Sequence, residues 1–254
     1  MRIAVTRRVS PDIARCELTH RERGDINAEL AATQHLEYEK RLSEFGCAVR
    51  SLEAAPGFPD AVFVEDTAVV LPEVAVIARP GAESRRGEIE SIAAVLGSYR
   101  PLVHVKPPGT LDGGDVLVVG TSVYVGLSAR TNEEGVHQLS AALVPMGYAV
   151  HGVPIEACLH LKSAAGLVAP DTLLVNGSWV DVGYFSGVGI IEVDPDEPDA
   201  AGVLLVGETV IYPQRFERTR DRLQHAGIAL SLVCMSELAK AEGGVTCCSL
   251  VFDA

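Results

Sequence analysis

Asp115-Val116-Leu117-Val118-Val119-Gly120-Thr121-Ser122-Val123-Tyr124-Val125-Gly126-Leu127 is two strand-forming runs joined by a Gly-Thr-Ser turn. That is the composition of a β-hairpin. The arrangement recurs along the chain. Runs 66–71 and 74–78 flank a Pro-Glu turn, 164–168 and 172–175 a Pro-Asp turn, and 202–206 and 209–212 a Gly-Glu turn. The blocks begin at residues 66, 115, 164 and 202, so the first two steps are even and the third is short. Repetition at such a period signals a repeat architecture. Helical stripes follow most blocks. Ser84 is placed to cap a helix carrying Ile89, Ile92, Ala93 and Leu96. Thr131 with Glu134 forms a capping-box pattern ahead of Val136, Leu139 and Leu143. Glu217 to Ala226 reads as helix with Gly227 as its stop, and Leu30 to Phe45 as another, ended by Gly46. Apolar strands such as Tyr148-Ala149-Val150 come next. Gly177 to Gly189 lacks a helical stripe, which accounts for the short step. A fifth unit forms if Cys248-Ser249-Leu250-Val251-Phe252 pairs with Ile3-Ala4-Val5.

The expected architecture is therefore a five-bladed α/β propeller of ββαβ repeats, one domain over residues 1–254, with a central channel where the blade starts meet. Ring closure removes exposed inner sheet edges. An ordinary doubly wound sheet also alternates strands with helices and is the competing architecture.

Composition narrows the partners. The chain has 48% hydrophobic residues, enough for a sizeable core, and a net charge of −13. That charge opposes phosphate backbones and anionic membrane surfaces, so neither nucleic acid nor membrane is expected as a partner. A negative field suits a cationic small molecule. The charged start Met1-Arg2-Ile3-Ala4-Val5-Thr6-Arg7-Arg8 does not read as a signal peptide, and no apolar run is long enough to span a membrane. A cytoplasmic location is expected. Pairing of exposed blade edges would allow a homodimer, which the sequence leaves undecided. Six cysteines (Cys16, Cys47, Cys158, Cys234, Cys247 and Cys248) are too few for a disulfide scaffold at this length. No C-x-x-C pair is present, and Cys158-x-His160 has poor spacing for zinc, so no metal is expected.

Unusual polar residues gather at the blade starts. Glu65-Asp66 opens one, Asp112-Gly113-Gly114-Asp115 the next, His160-Leu161-Lys162-Ser163 a third, and Gly243-Gly244-Val245-Thr246-Cys247-Cys248 the last. In a ring they would share one mouth. A thiol beside an imidazolium becomes a nucleophile, a carboxylate such as Asp112 can orient that imidazole, and paired carboxylates match the fork of a guanidinium. Each residue also has a plain reading: Cys247 as a small buried hydrophobe, His160 as a structural histidine, Asp60, Glu65 and Asp66 as turn caps near Pro59, and Arg85 and Arg130 as solvated surface residues.

Six ordered segments carry a resemblance that goes further. They are Phe58-Pro59-Asp60-Ala61-Val62-Phe63-Val64-Glu65-Asp66, Arg79-Pro80-Gly81-Ala82-Glu83-Ser84-Arg85-Arg86, Gly109-Thr110-Leu111-Asp112-Gly113-Gly114-Asp115, Ser128-Ala129-Arg130-Thr131-Asn132, Leu159-His160-Leu161-Lys162-Ser163 and Thr246-Cys247-Cys248-Ser249. With them the sequence resembles the dimethylarginine dimethylaminohydrolases, of the amidinotransferase and arginine deiminase (pentein) superfamily. The match is weaker at the N-terminal lid, Leu18 to Asp25. The resemblance implies a five-bladed propeller that hydrolyses Nω-methylated arginines to citrulline through a covalent Cys thiouronium, with no cofactor. It implies Cys247 as nucleophile, His160 as acid and base, and Asp112 holding His160. It also implies Glu65 and Asp66 on the guanidinium, Arg85 and Arg130 on the substrate carboxylate, Asp60 and the Leu18 carbonyl on the α-amino group, and the Ala241 backbone lining the site. Chemistry alone does not choose between Cys247 and Cys248, which strand alternation would send to opposite faces; the motif selects Cys247. Hydrolysis of another guanidino substrate, as by an arginine deiminase, and a binding-only propeller are the alternatives.

Overall fold

The computed structural model describes residues 1–254. Strand β1 (Arg2–Arg7) leads into helix α1 (Ala28–Glu44), and β2 (Ala48–Leu52) returns parallel to β1. The unit then repeats. Strands β3 (Ala68–Val70) and β4 (Ala75–Ile77) form a hairpin, helix α2 (Ile89–Leu96) crosses over, and β5 (Leu102–His104) pairs parallel with β4. Strands β6 (Val116–Val119) and β7 (Ser122–Leu127), helix α3 (Glu133–Leu143) and β8 (Ala149–Pro154) do the same. One helical turn, α4 (Leu161–Ala164), precedes β9 (Ala165–Ala169), β10 (Thr172–Val175) and β11 (Gly189–Glu192), whose crossover holds only a 3-10 turn at Val182–Tyr184. Strands β12 (Leu204–Val206) and β13 (Thr209–Pro213), helix α5 (Glu217–His225) and β14 (Ala229–Val233) form the next unit. Helix α6 (Ser236–Lys240) follows, and β15 (Leu250–Asp253) closes the ring antiparallel to β1. The result is five separate three-stranded sheets, which excludes the single doubly wound sheet.

The reason lies in the middle strand of each sheet, whose alternate residues enter two different cores. On β4, Ala75 and Ile77 pack with β1 residues Ile3 and Val5, while Val76 packs with Val123 and Val125 of β7. On β7, Tyr124 turns the other way, onto Leu173 and Val175 of β10. Leu174 then meets Val210 and Tyr212 of β13, and Ile211 meets Ala4 of β1. Five cores thus lie between five neighbouring pairs of blades, and the fifth joins the last blade to the first. Burial on both faces favours apolar side chains at successive positions, which is why the centre of each of these strands reads as a short continuous apolar run.

Three local expectations are corrected. Ser84 does not cap α2; a 3-10 turn, Glu83–Glu88, precedes that helix and Ser84 Oγ donates to Glu17 Oε1 instead (2.6 Å). Asn132, not Thr131, caps α3, its side chain accepting from the Gly135 amide, because Thr131 Oγ1 is taken by the amide of Asp112. Thr246–Cys248 is a 3-10 turn rather than the start of a strand. Successive residues of such a turn point about 120° apart, so the two cysteines still diverge. No helix is long and apolar enough to cross a membrane.

A helical turn precedes the first strand of every sheet: Val64–Thr67, Gly113–Asp115, α4, Pro198–Ala201 and Thr246–Cys248. These turns pack closely at the ring centre. A Cβ at Gly113 would lie 2.0 Å from the backbone oxygen of Glu65. Gly113→Ala should therefore force the first two turns apart. At about 1–3 kcal/mol for such overpacking, the thermal midpoint should drop by roughly 3–10 °C, measured by circular dichroism; an unchanged midpoint would mean that the turns have slack.

Candidate active site

Because the turns converge, residues remote in sequence become neighbours. Asp112 and His160 stand at the starts of their turns, and Glu65, Asp66 and Cys247 lie within theirs. His160 is buried, with Nε2 3.1 Å from Asp112 Oδ2 and Nδ1 3.7 Å from Asp66 Oδ1. Burial opposes the charged imidazole, but Asp66, Asp115 and Asp112 outweigh it and lift its pKa to about 9. Asp112 is itself fixed: its Oδ1 accepts from the Gly81 amide (2.9 Å) and it is fully buried. Asp115 holds the start of α4 by accepting from the Leu161 amide (3.0 Å). Burial raises the Asp115 carboxyl to about 6.

The two carboxylates of the first turn are engaged unequally. Asp66 takes Arg85 Nη1 (2.6 Å) on one oxygen and the Gly114 amide (3.1 Å) on the other. Glu65 Oε1 accepts from Lys162 Nζ (2.7 Å) and from the Thr246 hydroxyl. Its other oxygen, Oε2, is buried with no hydrogen-bond partner. A buried, unpaired carboxylate oxygen is costly unless a ligand donor meets it.

Cys247 is half-buried, and the Gly244 amide donates to its Sγ (3.3 Å). Burial first, then the Glu65 and Asp66 carboxylates, push its thiol well up. Cys248 is fully buried among α1 side chains such as Tyr38 and Leu42. Tertiary packing therefore leaves only Cys247 facing the channel.

The expected amino-acid end of the site forms a small recess bordered by Asp60, Asp66, Arg85, Arg130, Ala241 and Cys247. Asp60 accepts from the Glu17 amide (3.1 Å), and burial raises its carboxyl. Arg130 Nη2 reaches the Thr19 hydroxyl (3.2 Å). Arg85 is less free than the sequence suggests. Its guanidinium meets Glu88, Asp66 and the carbonyls of Asp60 and Phe63. With five N–H groups available, one hydrogen on Nη1 is left. Leu18 is partly buried on the lid. The lid is pinned by Glu242, which accepts from the amides of Thr19 (3.0 Å) and His20 (2.6 Å).

Lys162, Thr246, Glu88 and Glu242 escaped the sequence reading. The first two had a usable signal, since each shares a turn with a candidate residue. Glu88 stands three residues after Arg85, a spacing that pairs charges on a helical turn. Glu242 had none; it sits at a φ of 60° that sequence does not announce. The ligand atoms of Asp66, Asp112 and His160 lie within 4.8 Å of one another, a spacing a cation could use. Arg85 and the protonated His160 already neutralise these carboxylates, which disfavours that use.

The chain is similar to known proteins along most of its length. A family model described as N,N dimethylarginine dimethylhydrolase, eukaryotic, matches residues 10–169. The N(G),N(G)-dimethylarginine dimethylaminohydrolase of Streptomyces coelicolor is 40% identical over 248 residues, covering 97% of this chain and 95% of the relative. That of Pseudomonas aeruginosa is 38% identical over 237 residues, covering 92% and 93%. Among solved structures, a dimethylarginine dimethylaminohydrolase with a histidine replaced by glycine, as an adduct with S-methyl-L-thiocitrulline, superposes with a TM-score of 0.93 at 35% identity over 98% of both chains. The Pseudomonas aeruginosa protein with a cysteine replaced by serine, complexed with citrulline, gives 0.91 at 36% identity over 98% of both chains.

Two outcomes follow from the buried charges. Arg85→Ala strands Asp66 and Glu88 and should cost about 3–5 kcal/mol of stability in denaturant unfolding; a loss below about 1 kcal/mol would mean the cluster relaxes. Asp112→Asn should lower the His160 pKa from about 9, read by NMR titration of the imidazole. The protonated imidazole stabilises the fold in full below its ordinary pKa of about 6.5. That contribution is lost as pH rises through about 9. The stability gap between wild type and Asp112→Asn should therefore narrow over the same range; a constant gap would exclude the linkage.

Proposed function

Because the chain belongs to the dimethylarginine dimethylaminohydrolase family, we propose that it hydrolyses Nω-methylated arginines to citrulline and methylamine or dimethylamine. The observation that carries this reading is the Cys247 thiol set beside the Glu65 and Asp66 carboxylates, where burial first and then those charges raise its pKa. A cationic guanidinium between them would cancel the negative field and give the unpaired Glu65 Oε2 a donor. The ligand would thus switch on its own nucleophile.

The chemistry then uses groups already in place. Cys247 gives up its proton to solvent as the guanidinium binds, and the thiolate attacks the guanidinium carbon, which becomes tetrahedral. His160, protonated at neutral pH, passes a proton to the departing nitrogen; the C–N bond breaks with its electron pair on that nitrogen. Nε2 is committed to Asp112, which leaves Nδ1 for this transfer. The neutral imidazole next takes a proton from water as it adds to the thiouronium carbon. Collapse of the second tetrahedral species breaks the C–S bond with its electron pair on sulfur, the hydroxyl proton passes to that sulfur, and citrulline is released. Asp112 keeps the imidazole oriented, as the carboxylate of a triad does.

Arg130, with guanidinium N–H groups to spare, is the main anchor for the substrate carboxylate, and Arg85 adds its remaining N–H and its charge. Asp60 and the Leu18 carbonyl hold the α-amino group, and the Ala241 backbone forms the wall. The catalytic unit is the whole of residues 1–254, because the ring closes only when β15 pairs with β1.

Cys247→Ser should lower citrulline release from asymmetric dimethylarginine and monomethylarginine at least a thousandfold, the scale set by losing a nucleophile, with the circular dichroism spectrum unchanged. Cys248→Ala should stay within about tenfold of wild type. Retained activity in the first variant would reject the nucleophile. Faster release from arginine than from either methylarginine would reassign the chain to a deiminase-like activity, and silence on all three would favour a binding role.

A further inference from the structure

Two recesses of unequal size meet at Cys247 and His160. The one bordered by Asp60, Arg85 and Arg130 holds about 20 Å³, the space of a single water. The other holds about 530 Å³ and is bordered by Glu65, His160, Lys162, Gly202, Gly244 and Cys247. A volume of that order is typical of complete ligand sites and far exceeds what a methyl group needs.

An arginine-type substrate whose α-amino and carboxylate groups lie toward Asp60 and Arg130, as proposed above, directs its guanidinium away from them, toward Cys247. Its terminal nitrogens are the atoms farthest from Cα and emerge into the larger cavity. His160, which must protonate the departing nitrogen, borders that cavity too.

Gly202 borders this space. A Cβ at Gly244 would be 3.9 Å from both Cys247 Sγ and Gly202 Cα, so Gly202 and Cys247 flank the same point of the cavity wall. Gly202 is itself buried, yet a Cβ placed on it meets nothing within 4 Å. Its backbone angles, φ −73° and ψ 85°, do not demand glycine. The missing side chain therefore leaves empty space beside the reacting atoms and relieves no strain. The lack of a side chain at Gly244 opposite widens the same gap.

We propose that Gly202 sets the size of the terminal N-substituent that this site accepts, and that Nω-alkylarginines with chains longer than methyl are substrates. This rests on the hydrolase reading above. The alkyl group would occupy the cavity beside Gly202, and the alkylamine would leave through it. The step balances as for methylarginine: the C–N bond breaks, the nitrogen keeps the electron pair, and His160 supplies the proton.

The test compares wild type, Gly202→Ala and Gly202→Leu on Nω-methyl-, Nω-ethyl- and Nω-propyl-L-arginine, with citrulline and free amine both measured. In wild type, kcat/KM for the propyl substrate should lie within about tenfold of the methyl one. Gly202→Leu should lower it at least a further tenfold while sparing the methyl substrate, since one methylene of misfit is worth about 10- to 200-fold. Gly202→Ala, which folds with the least disturbance, should fall between. A wild type that turns over the methyl but not the ethyl substrate would overturn the inference and leave the hydrolase reading intact. Equal losses on every substrate in both variants would also overturn it. Silence of wild type on methylarginine itself would remove the hydrolase reading and the inference with it.

Discussion

The structure depends on the two-sided burial of five middle strands. Each of β1, β4, β7, β10 and β13 sends alternate side chains into different cores. A strand buried on both faces needs a neighbouring layer on each side, and a chain of such units satisfies the need throughout only by closing on itself. Closure places the five leading turns at the centre. Apolar burial supplies the driving force, at about 25 cal/mol per Å². The polar residues of the leading turns lie where no strand pairing competes for their side chains.

Those turns bring more carboxylates together than water-free space tolerates. Asp60, Glu65, Asp66, Glu88, Asp112 and Asp115 are all buried near one another. Arg85 joins Asp66 and Glu88, and His160 is held positive by Asp66, Asp115 and Asp112. Lys162 covers only one oxygen of Glu65. What stays unsatisfied after this pairing is the Glu65 Oε2 oxygen, near a thiol whose pKa burial first and then these charges raise. An acidic residue of that kind selects for a planar cation, and the site's chemistry follows from which charges the fold does not cancel. The overall charge of −13 acts in the same direction at longer range.

Rigidity and access are divided between different parts of the ring. The Thr246–Cys248 turn is fixed from behind, where Tyr38 of α1 bonds the Ser249 hydroxyl (2.6 Å). The lid instead rests on polar contacts at its rim: Thr19 and His20 on Glu242, Arg21 on Asp199. Exposed hydrogen bonds of this kind open at little cost.

Much of this was legible in the chain itself. Hairpin turns, apolar runs and their repeat spacing were enough for the blades and their number, since strand periodicity and turn chemistry are local properties. The candidate residues could be singled out because unusual polar groups stood at equivalent places in each repeat. What the sequence could not decide was which charges are spent on one another. Arg85 read as a free clamp and proved to be tied to Glu88, Asp66 and two carbonyls. Thr131 read as a cap and proved to hold Asp112. Cys248 and Cys247 were equal by chemistry, and only packing against α1 buried one of them. Turns and periodicities depend on neighbours along the chain, whereas pairing of buried charges and the space left beside Gly202 depend on atoms that closure of the ring brings together.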